Sequence, residues 1–187
     1  MSEGSSEVIY EDNTLTVETI PLDHKIPTSG FLFREKPKSL RIDKSRLPAG
    51  MLIQQIAQLK KGEDVLNEKG EVLFYCRDYT LPARLSRSYA YCSDTQPMDS
   101  TLSVIKEVDL LYHEATFLED EKDKARETKH STAAEAAIVA KKCQARRLII
   151  GHFSARYKDL IPVLAEAREI FPETALANEG ETIELAD

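Results

Sequence analysis

Apolar positions along this 187-residue chain fall into two spacings. The first is strand-like. LTVETIPL, residues 15–22, is β-branched and partly alternating and ends at Asp23-His24, and GFLFRE from Gly30 reads as the strand that returns beside it. RSYAYCSDT from Arg87 is a strand running into a loop, and DLLYHEAT from Asp109 is a buried strand that stops on a histidine. RRLII is another, passing through Gly151 straight into His152.

The second spacing is helical. Leu52, Ile56 and Leu59 share one face of a helix expected over Met51–Lys60. HSTAAEAAIVAKKCQ opens with a capping box, Thr132 followed by Glu135, ahead of an alanine-rich run of high helix propensity. DLIPVLAEAREIF can be capped by Asp159 and tolerates Pro162 in its first turn. ETALANEGETIEL predicts a terminal strand pair around Gly180. Strands alternating with helices predict an α/β layer, and no internal repeat interrupts it.

A chain of this length that is 42% hydrophobic and 30% charged suits one globular domain, 1–187, with a sizeable core. No apolar run is long enough to cross a bilayer, and the acidic start MSEGSSEVIYED is unlike a secretion signal, so a cytoplasmic location with no membrane partner is expected. Cys76, Cys92 and Cys143 are odd in number and widely spaced, which argues for reduced, packed thiols rather than a disulfide framework or a thiolate zinc site.

Net charge is −7, yet between Arg34 and Lys61 eight basic residues (Arg34, Lys36, Lys38, Arg41, Lys44, Arg46, Lys60, Lys61) face only Glu35 and Asp43. That segment is +6 on a body of −13, so a basic appendage could meet a phosphate backbone that the rest of the molecule repels. It has few large apolar residues and is punctuated by Pro37, Pro48, Gly50, Gly62 and Gly70, which predicts a protruding arm over 35–73.

The four histidines carry the candidate chemistry. A core strand ordinarily leaves its sheet through a turn residue or a charge, but His24, His113 and His152 each end a predicted strand, and His130 stands just before a helix cap. Asp94 also ends a strand. Strand ends on one edge of an α/β layer converge, so these residues could share a site. Neutral imidazoles with a carboxylate form a ligand set for zinc or manganese in a hydrolytic site, where the carboxylate can bridge two ions and the metals lower the pKa of a shared water.

IPLDHKIPTSGFLFRE, YCSDTQP, LLYHEAT, KHSTAAEAA, GHFSARY and FPETALAN occur in the order and approximate spacing of ribonuclease Z, the tRNA 3′-end endonuclease of the metallo-β-lactamase superfamily. The chain resembles that family from about Val8 onward. The resemblance implies a metallo-β-lactamase-like αββα sandwich, α/β or by some schemes α+β, present mainly as its C-terminal half with a protruding exosite arm. It implies zinc, two ions per complete site. His24 resembles a ligand of one zinc, Asp94 the bridging carboxylate and His152 a ligand of the second, while His130 resembles the catalytic histidine acting on the leaving 3′ oxygen, oriented by Glu114. His113 then falls to a structural role beside the ligands. The arm corresponds to the exosite that grips precursor tRNA, with Lys38, Arg41, Lys44, Lys60 and Lys61 as phosphate contacts, and Arg156 offers a further contact outside it. Where the family arm has a glycine and proline pattern, this one has Ala49-Gly50-Met51.

One family motif is absent: nothing in the chain matches HxHxDH, which supplies the other metal ligands. About half of the sandwich is therefore expected to be missing, leaving apolar surface wet at about 25 cal/mol per Å² and favouring association as a homodimer. The readings to separate are a truncated zinc-dependent endoribonuclease that removes the 3′ trailer, a noncatalytic tRNA-binding or dimerisation fragment, and another phosphodiesterase or esterase of the same fold.

Overall fold

The computed structural model describes residues 6–185. In chain order its elements are β1 (Val8–Glu11), β2 (Leu15–Pro21), β3 (Ser29–Glu35), β4 (Arg41–Ile42), α1 (Ile53–Lys60), β5 (Val65–Leu66), β6 (Val72–Phe74), α2 (Cys76–Tyr79), β7 (Thr80–Leu81), β8 (Ser88–Cys92), α3 (Asp99–Val104), β9 (Leu110–Glu114), α4 (Lys122–Thr128), α5 (Ala133–Lys142), β10 (Arg147–Gly151), α6 (Ile161–Ile170) and β11 (Thr174–Leu176). They divide into a body, residues up to Lys36 with those from Arg87 onward, and an inserted unit, Pro37–Ser86.

The body is built on a seven-stranded sheet in the order β1-β2-β3-β8-β9-β10-β11. The pairs from β1 to β8 are antiparallel and those from β8 to β11 are parallel. Two successive reversals, β2 to β3 and β3 to β8, point β2 the same way as the parallel strands. The C-terminal ends of β2, β8, β9 and β10 therefore share one rim, which is where an open sheet of this kind offers a ligand crevice.

Register sorts the side chains. Leu32, Ala90, Leu111 and Leu148 lie side by side across the sheet and are buried against the helices. Helix α5 owes its close approach to alanines: Ala133, Ala136, Ala137 and Ala140 are fully buried, and it packs on α6 through Val163 and Ala167. The capping box forms as the sequence predicts, with Glu135 N donating to Thr132 Oγ1 at 3.1 Å and Thr132 N to the Glu135 carboxylate at 3.1 Å. Asp159 Oδ1 accepts from Ile161 N at 2.9 Å at the start of α6. On the opposite face Phe31, Tyr91, Tyr112 and Ile149 are in register, and Phe31, Phe33 and Tyr91 remain 37–38% exposed.

Several elements depart from the sequence reading. The charged stretch EDEKDKARETK contains α4, which needs little apolar surface because only Ala125 is buried. β1, the VIYE run within an otherwise polar N-terminal segment, pairs with β2 as an edge strand whose four side chains are all exposed. The expected terminal strand pair reduces to β11 alone: residues 177–185 form no strand, and Arg147 Nη1 donates to the Glu184 carbonyl at 3.1 Å. All three cysteines are free and buried.

The inserted unit has two short two-stranded sheets, β4-β7 and β5-β6, around α1 and a small core of Leu59, Val65 and Cys76. Pairing of β7 with β4 carries this unit to Ser86, beyond the 35–73 span expected from composition. Helix α1 starts at Ile53, so Leu52 lies at its cap and is exposed, whereas Leu59 is buried as expected.

Candidate metal and catalytic site

Four strand ends supply the rim. His24 follows β2, Asp94 follows β8, Glu114 is the last residue of β9 and His152 follows β10. His130 arrives from the turn between α4 and α5. Asp94 and His152 adopt left-handed backbone, φ 55° and 59°, a conformation that costs a non-glycine residue about 1–2 kcal/mol. Two such residues on one rim, after strands that flank β9, mark strain of the kind held at functional sites.

His130 sits between the other two imidazoles, its ring centroid 4.9 Å from His24 and 5.3 Å from His152. His152 Nε2 lies 3.2 Å from Asp94 Oδ1. His130 Nδ1 donates to Glu114 Oε1 at 2.8 Å. Glu114 is wholly buried and accepts three more hydrogen bonds, from Thr95 N at 2.6 Å, Ser131 N at 3.1 Å and Thr116 Oγ1 at 2.6 Å. Four donors fill a carboxylate's four lone-pair sites, so its charge is compensated where water cannot reach.

The Nδ1 atom of each site imidazole is engaged: His24 with the Lys129 carbonyl at 3.0 Å, His130 with Glu114, His152 with Thr116 Oγ1 at 2.9 Å. Each ring thus turns its Nε2 away from these partners. Lys129 ends α4 in left-handed backbone, φ 58°, which presents its carbonyl to His24. Its ammonium lies 2.6 Å from Asp23 Oδ1 and, with the Gln96 amide, holds the Asp23 carboxyl below the usual carboxylate range.

Two groups bring potential ligand atoms within 4.8 Å of one another: His24, Asp94 and His130, and Glu114, His130 and His152. The donor set fits zinc, which takes imidazole nitrogen and carboxylate oxygen. Glu114 is a poor ligand in the second group because its lone pairs are already used. His113 faces the opposite way, into the helix-covered core, where burial pushes its pKa down and its Nδ1 bonds the Glu114 carbonyl at 2.8 Å. Its position is that of a packed core residue.

Arg156 stacks 5.2 Å from the centroid of Phe117, whose ring is 6.3 Å from that of His130, and its Nη1 pairs with Glu121 Oε1 at 2.7 Å. Tyr157 accepts from Leu118 N at 3.0 Å and packs on the core. In the inserted unit Arg41 Nε donates to the Pro82 carbonyl at 3.0 Å, Lys60 and Lys61 close α1, Lys44 is exposed and Lys38 is half-buried. Thr116, Lys129, Asp23 and Gln96 escaped the sequence reading. Thr116 stands within the HEAT word itself, and the other three act through backbone or through partners distant in sequence.

No family model matches the chain. It is 50% identical over 186 residues to ribonuclease Z of Cytophaga hutchinsonii, an alignment covering 100% of this chain and 59% of that protein. The chain is a homologue of ribonuclease Z. Ribonuclease Z of Parabacteroides distasonis is 45% identical over 174 residues, 92% of this chain and 57% of that one. The chain thus spans less than three-fifths of the length of these ribonuclease Z relatives. Among solved structures, human tRNase Z, short form, matches with a TM-score of 0.56 at 25% identity over 97% of this chain and 48% of that one. The metallo-beta-lactamase fold protein YhfI from Bacillus subtilis matches with a TM-score of 0.58 at 16% identity over 92% and 50%, which bears on fold alone. The fold is that of the metallo-β-lactamases, matched over about half of each of those chains.

Proposed function

We propose that this chain is the C-terminal portion of a zinc-dependent endoribonuclease that removes the 3′ trailer of precursor tRNA and leaves a 3′-hydroxyl. The observation that carries the reading is the buried Glu114 bonded to His130 beside an imidazole–carboxylate cluster, in a homologue of ribonuclease Z. His24, Asp94 and His152 would hold the metal, which when bound supplies Lewis acidity at the scissile phosphate. Glu114 fixes the His130 ring through Nδ1, and Nε2 is then the atom that delivers a proton to the departing 3′ oxygen, a role worth about 10²–10⁴ in rate. Arg156 borders the site as a phosphate contact, and Lys38, Arg41, Lys44, Lys60 and Lys61 of the inserted unit supply sequence-independent attraction to tRNA. A cytoplasmic, homodimeric enzyme fits this reading, and among the described residues no helix is long and apolar enough to cross a membrane.

The test is a graft. This chain replaces the matching segment of the Cytophaga hutchinsonii relative, and cleavage of a 3′-extended precursor tRNA is followed by gel. Cleavage yielding a 3′-hydroxyl, lowered by about 10²–10⁴ in His130→Ala, is expected. An inert graft beside an active parent would overturn it. A second reading, a noncatalytic tRNA-binding or dimerisation fragment, is favoured by the exposed aromatic face and by the missing HxHxDH motif. It predicts tRNA or self-association by the isolated chain with no zinc retained.

A further inference from the structure

Thr116 is buried between two members of the site that the nuclease reading treats separately. Its Oγ1 lies 2.6 Å from Glu114 Oε2 and 2.9 Å from His152 Nδ1. A hydroxyl has a single proton to give. The competing acceptors are the Glu114 carboxylate and the His152 backbone carbonyl at 3.0 Å, and a charged acceptor at the shorter distance takes the proton. The Thr116 oxygen is then left to accept, and among the described residues the donor within reach is the His152 ring. That favours an Nδ1–H on the His152 ring and turns Nε2 toward Asp94 Oδ1, 3.2 Å away, a carboxylate that competes for the ring proton wherever no metal takes the Nε2 lone pair.

We propose that Thr116 is a positioning residue that joins the Glu114–His130 pair to His152, setting the tautomer and ring orientation of His152 through the chain Glu114 Oε2, Thr116 hydroxyl, His152 Nδ1. The assignment of His152 as a metal ligand rests on the nuclease reading; the tautomer does not. Because one carboxylate serves His130 directly and His152 through the hydroxyl, the two imidazoles are oriented by a common anion. Outer partners of ligating histidines typically change metal affinity 10–100-fold when lost.

The experiment records long-range ¹⁵N–¹H correlations of the histidine rings in the metal-free chain above pH 7.5, in an Asp94→Ala background that removes the carboxylate facing Nε2, for the otherwise unaltered protein, Thr116→Ser and Thr116→Val. In the otherwise unaltered protein and Thr116→Ser, His152 should show the Nδ1–H pattern. In Thr116→Val it should shift toward Nε2–H or a mixture while His24 keeps its pattern, since His24 is held by the Lys129 carbonyl. An Nε2–H pattern for His152 in the otherwise unaltered chain overturns the proposal outright, even where Thr116→Val fails to fold, and so does a folded Thr116→Val with an unchanged His152. Zinc titration of the same three chains with Asp94 restored separates the two readings. A roughly 10–100-fold weaker zinc affinity in Thr116→Val alone supports both. No zinc uptake by any sample, with the tautomers as expected, sinks the ligand assignment and leaves Thr116 in its positioning role.

Discussion

Leu32, Ala90, Leu111 and Leu148 cross the sheet in a row no more than 1% exposed, whereas Phe31 and Tyr91, one residue away on the same strands, are each 37% exposed. The strands are identical and the neighbours differ: small alanines of α5 let a helix seat on the first row, while the second row has partial cover from residues 177–185. That cover shapes a cavity of about 400 Å³ lined by Tyr89, Leu110, Tyr112, Ile149 and Ile183 among others. Aromatic pairs stiffen the open face, with Tyr91 and Tyr112 stacked at 4.6 Å and Phe33 and Tyr89 at 5.8 Å. Burial still pushes the Tyr89 and Tyr112 hydroxyls up to about 12. A face this apolar favours contact with another surface, and the expectation that follows is that stability draws on the helix side of the sheet and association on the open side.

Substitutions on the two faces should separate these properties. Leu111→Ala, on the helix side, should lose about 2–5 kcal/mol in urea unfolding through the cavity it leaves; a loss below 1 kcal/mol would remove the distinction. Gly151→Ala comes next, at about 1–3 kcal/mol, because an added Cβ collides with the Tyr112 ring on the open face. Tyr112→Ala in the same background should recover part of that loss, and no recovery would mean the clash lies elsewhere.

The helix side also carries a pH signature. His113 is buried neutral, so the unfolded chain binds the extra proton. Stability should therefore fall as pH drops below about 6.5, the unfolded value, by up to about 1.4 kcal/mol per pH unit. Comparing urea midpoints at pH 7.5 and 5.5 for the native chain and His113→Leu should show that limb shrink in the variant; an identical limb would assign it to other groups. The smallest expected change in unfolding is Phe31→Ser, within about 0.5 kcal/mol. Its sedimentation profile should nevertheless shift toward monomer, and unaltered self-association would discharge the open face from that role.

Much of this was legible in residue order. β-branched runs, the Thr132–Glu135 box and the buried pair Val163 and Ala167 mark their elements locally, and histidines at strand ends mark the rim once β2, β8, β9 and β10 are known to run the same way. What stayed hidden depends on few or distant contacts. Helix α4 shows no apolar stripe, β1 is fully exposed, and ETIEL has strand composition without a strand partner. Glu114 is identifiable as an acid beside His130, but its four donors include two backbone amides, which leave no trace in side-chain pattern. Lys129 acts on His24 through a carbonyl, so its residue type says nothing of the contact.

The ends of the inserted unit have a bearing on its interchangeability. Glu35 N donates to the Arg87 carbonyl at 2.9 Å, and the Arg87 guanidinium clasps the Glu35 carboxylate at 2.5 Å, so the body itself seals the two points where the chain departs and returns. Registration of β3 with β8 is set by these strands, not by what lies between them. Shortening the excursion to a handful of residues would lower the entropic cost of bringing these two points together on folding by about 2 kcal/mol. The insert is thus a detour whose entry and exit are fixed by contacts it does not itself supply.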